Sequence, residues 1–244
     1  NIYTVDESHP KASRIAIGNG KILALDADVD RYLGPRTRGI DALGDTIIPG
    51  FIDSHVHMQN FGAALESLDL RYVRTVEAVA ELVRGAAARL PAGAWIRGRS
   101  WDQTHWGGRF PPAEALSRAA PGHPVCLTRV DGHAVWVNRK ALDLAGITAA
   151  TPDPPGGKIV RDGGGAPAGV LIDHAANLVL SRIPPPSDAD VQRHLEKATR
   201  ECARLGITSV HDAGVGSREL AAYRALMAAG KLPVRVYAMI GGPG

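Results

Sequence analysis

Two cysteines in 244 residues, Cys126 and Cys202, are too few for a disulfide framework and too far apart for a cysteine-based zinc site. They read as small buried apolar residues in a reducing compartment, so the expected location is cytoplasmic. No stretch reaches the ~18 uninterrupted apolar residues of a membrane helix. The opening NIYTVDESHPK also lacks the basic-then-apolar order of an export signal, so no membrane partner is expected. No run of Lys or Arg builds a patch: the net charge is only +3, and the 28 cationic residues are interspersed with 25 acidic ones. Nucleic acid is therefore not an expected partner. Internal repeats and low-complexity segments are missing too. What the chain does have is 45% apolar residues, enough for a sizeable core in one large domain or two small ones.

The apolar residues change period along the chain. RIAI and KILAL, around the GNG at 18–20, predict a β-hairpin. TIIPGFID is a nearly continuous apolar run, which predicts a strand buried on both faces, as in a parallel sheet. From Thr75, a candidate N-cap, Val76, Val79, Leu82, Val83, Ala86 and Leu90 recur at helical spacing. AWIRG and PVCLTRV predict two further strands, with a short helix over PAEALSRAA between them. Residues 151–169, rich in Pro and Gly, predict a surface excursion with one hairpin around KIVRDG. Helix, strand, helix and strand then follow: a capping box at Ser187 and Asp190, the stripe Val191, Leu195, Ala198 and Cys202, the strand ITSVHDAG, a helix capped by Ser217, and VRVYAMI. This alternation is an α/β pattern.

IPGFIDSHVH, residues 48–57, ends a strand with His55 and His57 one residue apart. Residues i and i+2 of a strand share a face about 6–7 Å apart, which lets two imidazoles converge on one divalent ion, zinc above all. A polar strand end explains an isolated His-x-His equally simply. A cupin-type barrel also uses the motif, but it needs a closely following Glu and a succession of short strands, whereas a helical period begins at residue 75.

PGFIDSHVH after GNGKILALD resembles the opening of the catalytic barrel in the metal-dependent amidohydrolase superfamily. WIRGRSWD, TRVDGHAVWVNRKAL, GVLIDHA and GITSVHDAG are similar to blocks of its YtcJ-like branch (amidohydrolase 3), to which N-substituted formamide deformylase belongs. The resemblance implies the N-terminal part of a TIM (β/α)8-barrel. Residues 1–46 would form part of a composite β-sandwich and 47–244 a partial barrel, with an α/β insertion at about 58–186 after the first barrel strand. It implies one or two divalent metals, most often zinc, and hydrolysis of an amide-type C–N bond in a small molecule by metal-activated water. Deaminases and ester hydrolases belong to the same superfamily, and a non-catalytic remnant of the fold is the competing reading.

No histidine follows His211, and the chain ends in GGPG directly after a strand with no covering helix. The expectation is a fragment, with the remaining ligands and the proton-accepting Asp beyond Gly244, weak metal binding, and poor solubility or homo-oligomerisation through open strand edges. Among the other candidates, Asp53 shares the strand face of His55 and reads either as an acceptor behind an imidazole or as a plain strand-end hydrogen-bond acceptor. Asp173 stands where the branch commonly has Glu and is a candidate metal ligand. His133, Trp101 and Asp102 are candidate substrate contacts, with Trp101, Trp106 and Trp136 alternatively filling the insertion core. His211 and Asp212 read as a structural pair and His194 as a packed histidine. No site role is assigned to His9, His105, His123 or His174.

Overall fold

The hairpin forms around Asn19 and Gly20, both at positive φ, joining β3 (Ile15–Gly18) to β4 (Lys21–Leu25), as a two-residue turn requires. It follows a small pair, β1 (Ile2–Tyr3) and β2 (Lys11–Ala12), in a computed structural model that describes residues 1–241. The last three residues of the GGPG end thus lie outside the described residues. Ile47 bridges back to Ile2, tying the approach to the histidine motif onto this segment.

The motif itself forms β5 (Phe51–Val56), followed at once by α1 (Met58–Leu65). The chain then leaves this neighbourhood for a second sheet. Thr75 caps α2 (Val76–Ala87) by accepting the N–H of Ala78 at 3.1 Å, and Val79 and Val83 are fully buried. Each such burial is worth about 1.5–3 kcal/mol. Around α2 and α3 (Ala113–Ala119) lie β6 (Leu68–Asp69), β7 (Ile96–Trp101), β8 (Val125–Arg129) and β9 (Ala134–Val137). Asn138 then caps α4 (Arg139–Ala145) while bonding Val125 N–H and two backbone carbonyls, which accounts for a fully buried amide. The Pro/Gly-rich stretch yields the predicted hairpin, β10 (Gly157–Arg161) and β11 (Pro167–Asp173), and a short α5 (Asn177–Leu180) closes the region. These six strands form one mixed sheet in the order β10-β11-β9-β8-β7-β6.

The capping box at Ser187 and Asp190 starts α6 (Asp188–Arg204), and the predicted stripe Val191, Leu195, Ala198 and Cys202 is buried. Next come β12 (Ile207–Val215), α7 (Ser217–Ala228) and β13 (Arg235–Ile240). The cap of α7 is Gly216 rather than Ser217: its N–H reaches Glu219 Oε2 at 3.1 Å, and Ser217 is the first helical residue. β12 pairs in parallel with β5 on one side and β13 on the other, giving the order β13-β12-β5. Helices α1, α6 and α7 cover this sheet through Met58, Leu195, Tyr223 and Leu226. Gly62 permits that packing, because a Cβ there would overlap the backbone carbonyl of His194 on α6.

One expectation is corrected. The run TIIPGFID is not buried on both faces: Ile48, Phe51 and Ile52 are 49%, 57% and 65% exposed. β5 is an edge strand of the described sheet, and apolar pattern reports capacity for burial rather than the neighbours that supply it.

Candidate metal centre

His55 is the penultimate residue of β5, and His57, one residue past its end, occupies the turn into α1. Both side chains are exposed, with ring centres 5.3 Å apart and ring planes at 89°. Two imidazoles on one tetrahedral ion at about 2.0–2.1 Å per nitrogen have centres about 5 Å apart, so the spacing suits a shared divalent metal. His57 Nδ1 lies 3.0 Å from the carbonyl oxygen of Ala213, on neighbouring β12. A carbonyl can only accept, so Nδ1 carries a proton, and in the neutral ring Nε2 keeps its lone pair. Metal-binding histidines are prepared this way, with the second nitrogen committed to an acceptor.

The turn is held by β12. Asp212 is 3% exposed; one carboxylate oxygen accepts the Met58 N–H at 2.9 Å and the other the Tyr223 hydroxyl at 2.7 Å. Burial first, and the Asp212 carboxylate second, push the Tyr223 hydroxyl well above the usual phenol range, so it remains a donor. The structural reading of Asp212 thus acquires a specific partner, Tyr223 of α7. His211 has its ring 5.1 Å from that of Tyr237 on β13.

Asp53 accepts the backbone N–H of His55 at 3.1 Å, so its carboxylate braces the strand end rather than an imidazole. Behind the pair, Glu66 at the end of α1 meets Arg193 and Lys197 of α6 at 2.8 Å and the buried His194 at 3.2 Å. The hydrogen bond from Arg193 leads the causes that hold the Glu66 carboxyl at about 2. His194 also faces Gln59 at 3.4 Å. No motif marked this network; its only signal was a pair of basic residues four apart on α6, Arg193 and Lys197.

Asp173 is not brought to the histidine pair. Among the described residues no three His, Cys, Asp or Glu side chains converge in a way that would hold a metal. Asp173 Oδ1 instead accepts from His133 Nδ1 at 2.8 Å, and its backbone N–H donates to the His133 carbonyl at 2.7 Å. It does so at φ +48°, a conformation costing about 1–3 kcal/mol for a non-glycine residue. Asp131 accepts the His133 N–H at 3.0 Å and pairs with Arg129. His133 is thus an oriented, solvent-facing imidazole in the turn that joins β8 to β9, at the end of two inner strands of the six-stranded sheet.

Of the two places open to Trp101, the structure chooses the core. The residue is fully buried against Trp106 and Trp136, with its indole N–H donating to the Leu127 carbonyl at 2.7 Å. Asp102 accepts the Thr104 N–H at 2.9 Å as a helix cap, which holds its carboxyl below the usual range. Both cysteines are buried; burial pushes the Cys126 thiol up to about 12, unsuited to metal binding as a thiolate. No helix of the described residues is long and apolar enough to cross a membrane.

Known proteins resemble this chain in sequence and in fold. The chain is 33% identical over 251 residues to N-substituted formamide deformylase of Arthrobacter pascens, covering 99% of this chain and 46% of that protein. It is 32% identical over 248 residues to YtcJ of Bacillus subtilis (strain 168), covering 98% and 47%. A solved structure of an uncharacterized metal-dependent hydrolase from Pyrococcus furiosus superimposes with a TM-score of 0.68 at 28% identity, covering 98% of this chain and 48% of that one. The chain spans about half the length of each. Residues 38–242 match the amidohydrolase family, and the chain belongs to that family.

Proposed function

We propose that this chain supplies the first metal ligands of a hydrolase that cleaves an amide-type C–N bond in a small N-acyl or N-formyl molecule. The observation that carries the reading is the His57 Nδ1–H bond to the Ala213 carbonyl, which presents Nε2 beside the His55 ring. Neutral imidazole donors suit zinc, and a bound divalent ion supplies Lewis acidity and brings the pKa of a water toward ~7. In this reading β5, β12 and β13 are the first three strands of a (β/α)8 barrel, residues 1–46 contribute to a β-sandwich, and about 58–186 are an insertion. His55 and His57 then sit at the carboxyl ends of barrel strands, where barrel enzymes place their chemistry.

The chain's own residues divide the work. His55 and His57 hold the ion, Ala213 fixes the tautomer of His57, and Asp53 fixes the backbone of His55. His133 offers its free Nε2 to a polar group of the substrate, held in orientation by Asp173. The Arthrobacter relative, an N-substituted formamide deformylase, directs the choice of probe to N-substituted formamides. The chain spans about half the length of its relatives, so the remaining ligands and the proton-accepting Asp are assigned to the half it does not cover, and residues 1–244 by themselves are expected to bind metal weakly and not to turn over.

His55→Ala and His57→Ala in the full-length protein test the reading, with zinc content and N-substituted formamide hydrolysis measured together. Both substitutions are expected to lower zinc occupancy and to reduce the rate by at least 100-fold. Unchanged zinc and rate in both variants would overturn the assignment.

A further inference from the structure

Two successive residues of β12 hold two successive residues of the turn that carries the imidazole pair. The Ala213 carbonyl accepts from His57 Nδ1, and the Asp212 carboxylate accepts from the Met58 backbone N–H. Tyr223, on α7, completes the arrangement by donating to the second Asp212 oxygen. Asp212 and Tyr223 are 3% and 5% exposed, so this is an enclosed acceptor rather than a surface contact.

Asp212 is also poorly explained by stability alone. None of the ion pairs among the described residues includes it, and its two neutral donors are an amide and a hydroxyl. Burying a carboxylate without a countercharge is costly, and an amide side chain would fill the same space at lower cost. A dication at the adjacent imidazole pair would supply the missing positive charge.

We propose that Asp212 is a positioning residue of the metal centre. Together with the Ala213 carbonyl it fixes the turn bearing His57, Tyr223 fixes Asp212 from the helix layer, and the buried negative charge favours a dication at His55 and His57. The proposal rests on the reading that those two histidines bind metal. It places one determinant of metal affinity on α7, outside the ligand strand.

Zinc affinity of the intact protein, measured by competition with a chromophoric chelator, is the direct test. Asp212→Asn keeps an acceptor for Met58 N–H but removes the charge and the acceptor for Tyr223. It is expected to weaken zinc binding by about 10–100-fold, the range for loss of an outer-layer partner. Tyr223→Phe is expected to weaken it by a smaller factor, and serves alone if Asp212→Asn does not fold. The metal-free melting temperature is expected to hold steady or rise in Asp212→Asn. A merely structural carboxylate would show the reverse, a lower metal-free melting temperature with zinc affinity intact, and that result overturns the proposal. His55→Ala is the control. If it lowers zinc affinity while Asp212→Asn does not, only the positioning role is rejected; if neither does, the metal reading falls with it. Imidazole 15N shifts of metal-free protein add an independent readout: His57 is expected to be the Nδ1–H tautomer in wild type and to lose that preference in Asp212→Asn.

Discussion

The six-stranded sheet and the three-stranded sheet are built from similar apolar runs and end in opposite states. In the first, Leu127, Trp136, Val137, Val170 and Leu171 are fully buried, with helices and a tryptophan cluster completing the core. In the second, Phe51, Ile52, Tyr237 and Ile240 are 57–65% exposed, although helices α1, α6 and α7 pack tightly on Val210. The sheet that closes its own core carries no histidine pair. The sheet that leaves apolar side chains and strand edges open carries it, and there β12 clasps the His57 ring while Asp53 braces the backbone of His55.

Replacing one large side chain in each sheet is the strongest way to break this contrast. Trp136→Ala removes an enclosed indole lying between Trp101 and Trp106 and is expected to cost about 3–5 kcal/mol. Phe51→Ala is expected to cost less than about 1 kcal/mol, since its ring is more than half exposed. Urea unfolding of the two variants decides. Equal losses would mean that Phe51 is covered in solution.

Gly62→Ala attacks the helix layer of the weaker sheet. The added Cβ overlaps the His194 carbonyl, so α1 must move away from α6, at a cost of about 1–3 kcal/mol. Because His57 leads directly into α1, zinc affinity is expected to fall alongside stability. A variant destabilised by that amount with intact zinc affinity would uncouple α1 from the imidazole pair.

Glu66 gives a pH handle on the same packing. Arg193, Lys197 and His194 surround its carboxylate, and its folded pKa is depressed to about 2. A depressed carboxyl contributes stability that is fully present above the ordinary glutamate range and is lost as pH falls toward 2. Glu66→Gln is therefore expected to destabilise the protein at neutral pH by about 1 kcal/mol and to flatten the loss of stability between roughly pH 4.5 and 2. Thermal melts across that range read both effects. An unchanged acid slope would remove Glu66 from the account.

Elements with a local cause were legible in the sequence. Thr75, the Ser187 and Asp190 box, and Asn19-Gly20 carry their own geometry, and each stands where the pattern placed it. Parallel strands separated by helices were expected from the apolar runs, the pairing of β5, β12 and β13 from the family resemblance, and the closeness of His55 and His57 from their i, i+2 spacing, although His57 lies one residue past β5. What escaped depends on contacts distant in sequence. Met58 meets Asp212 across 154 positions, and His133 meets Asp173 across 40, with a backbone conformation at Asp173 that no composition rule predicts. Burial of β5 was misjudged for the same reason, because hydrophobicity identifies a face while topology decides what lies against it.

The smallest expected effect sharpens the contrast most directly. Ile52 is 65% exposed on β5, an edge of the described three-stranded sheet. An open apolar edge is a template for association, and a lysine on such an edge discourages it. In the 1–244 chain, Ile52→Lys is expected to change unfolding free energy by no more than about 0.5 kcal/mol, as for an exposed site. It should nevertheless shift the chain toward monomer in sedimentation velocity. The equivalent change at Ile159, which is 1% exposed in the six-stranded sheet, should cost several times more, because it buries an ammonium among apolar side chains. If Ile52→Lys destabilised the chain as much as Ile159→Lys, both sheets would be closed in solution and the distinction between them would disappear.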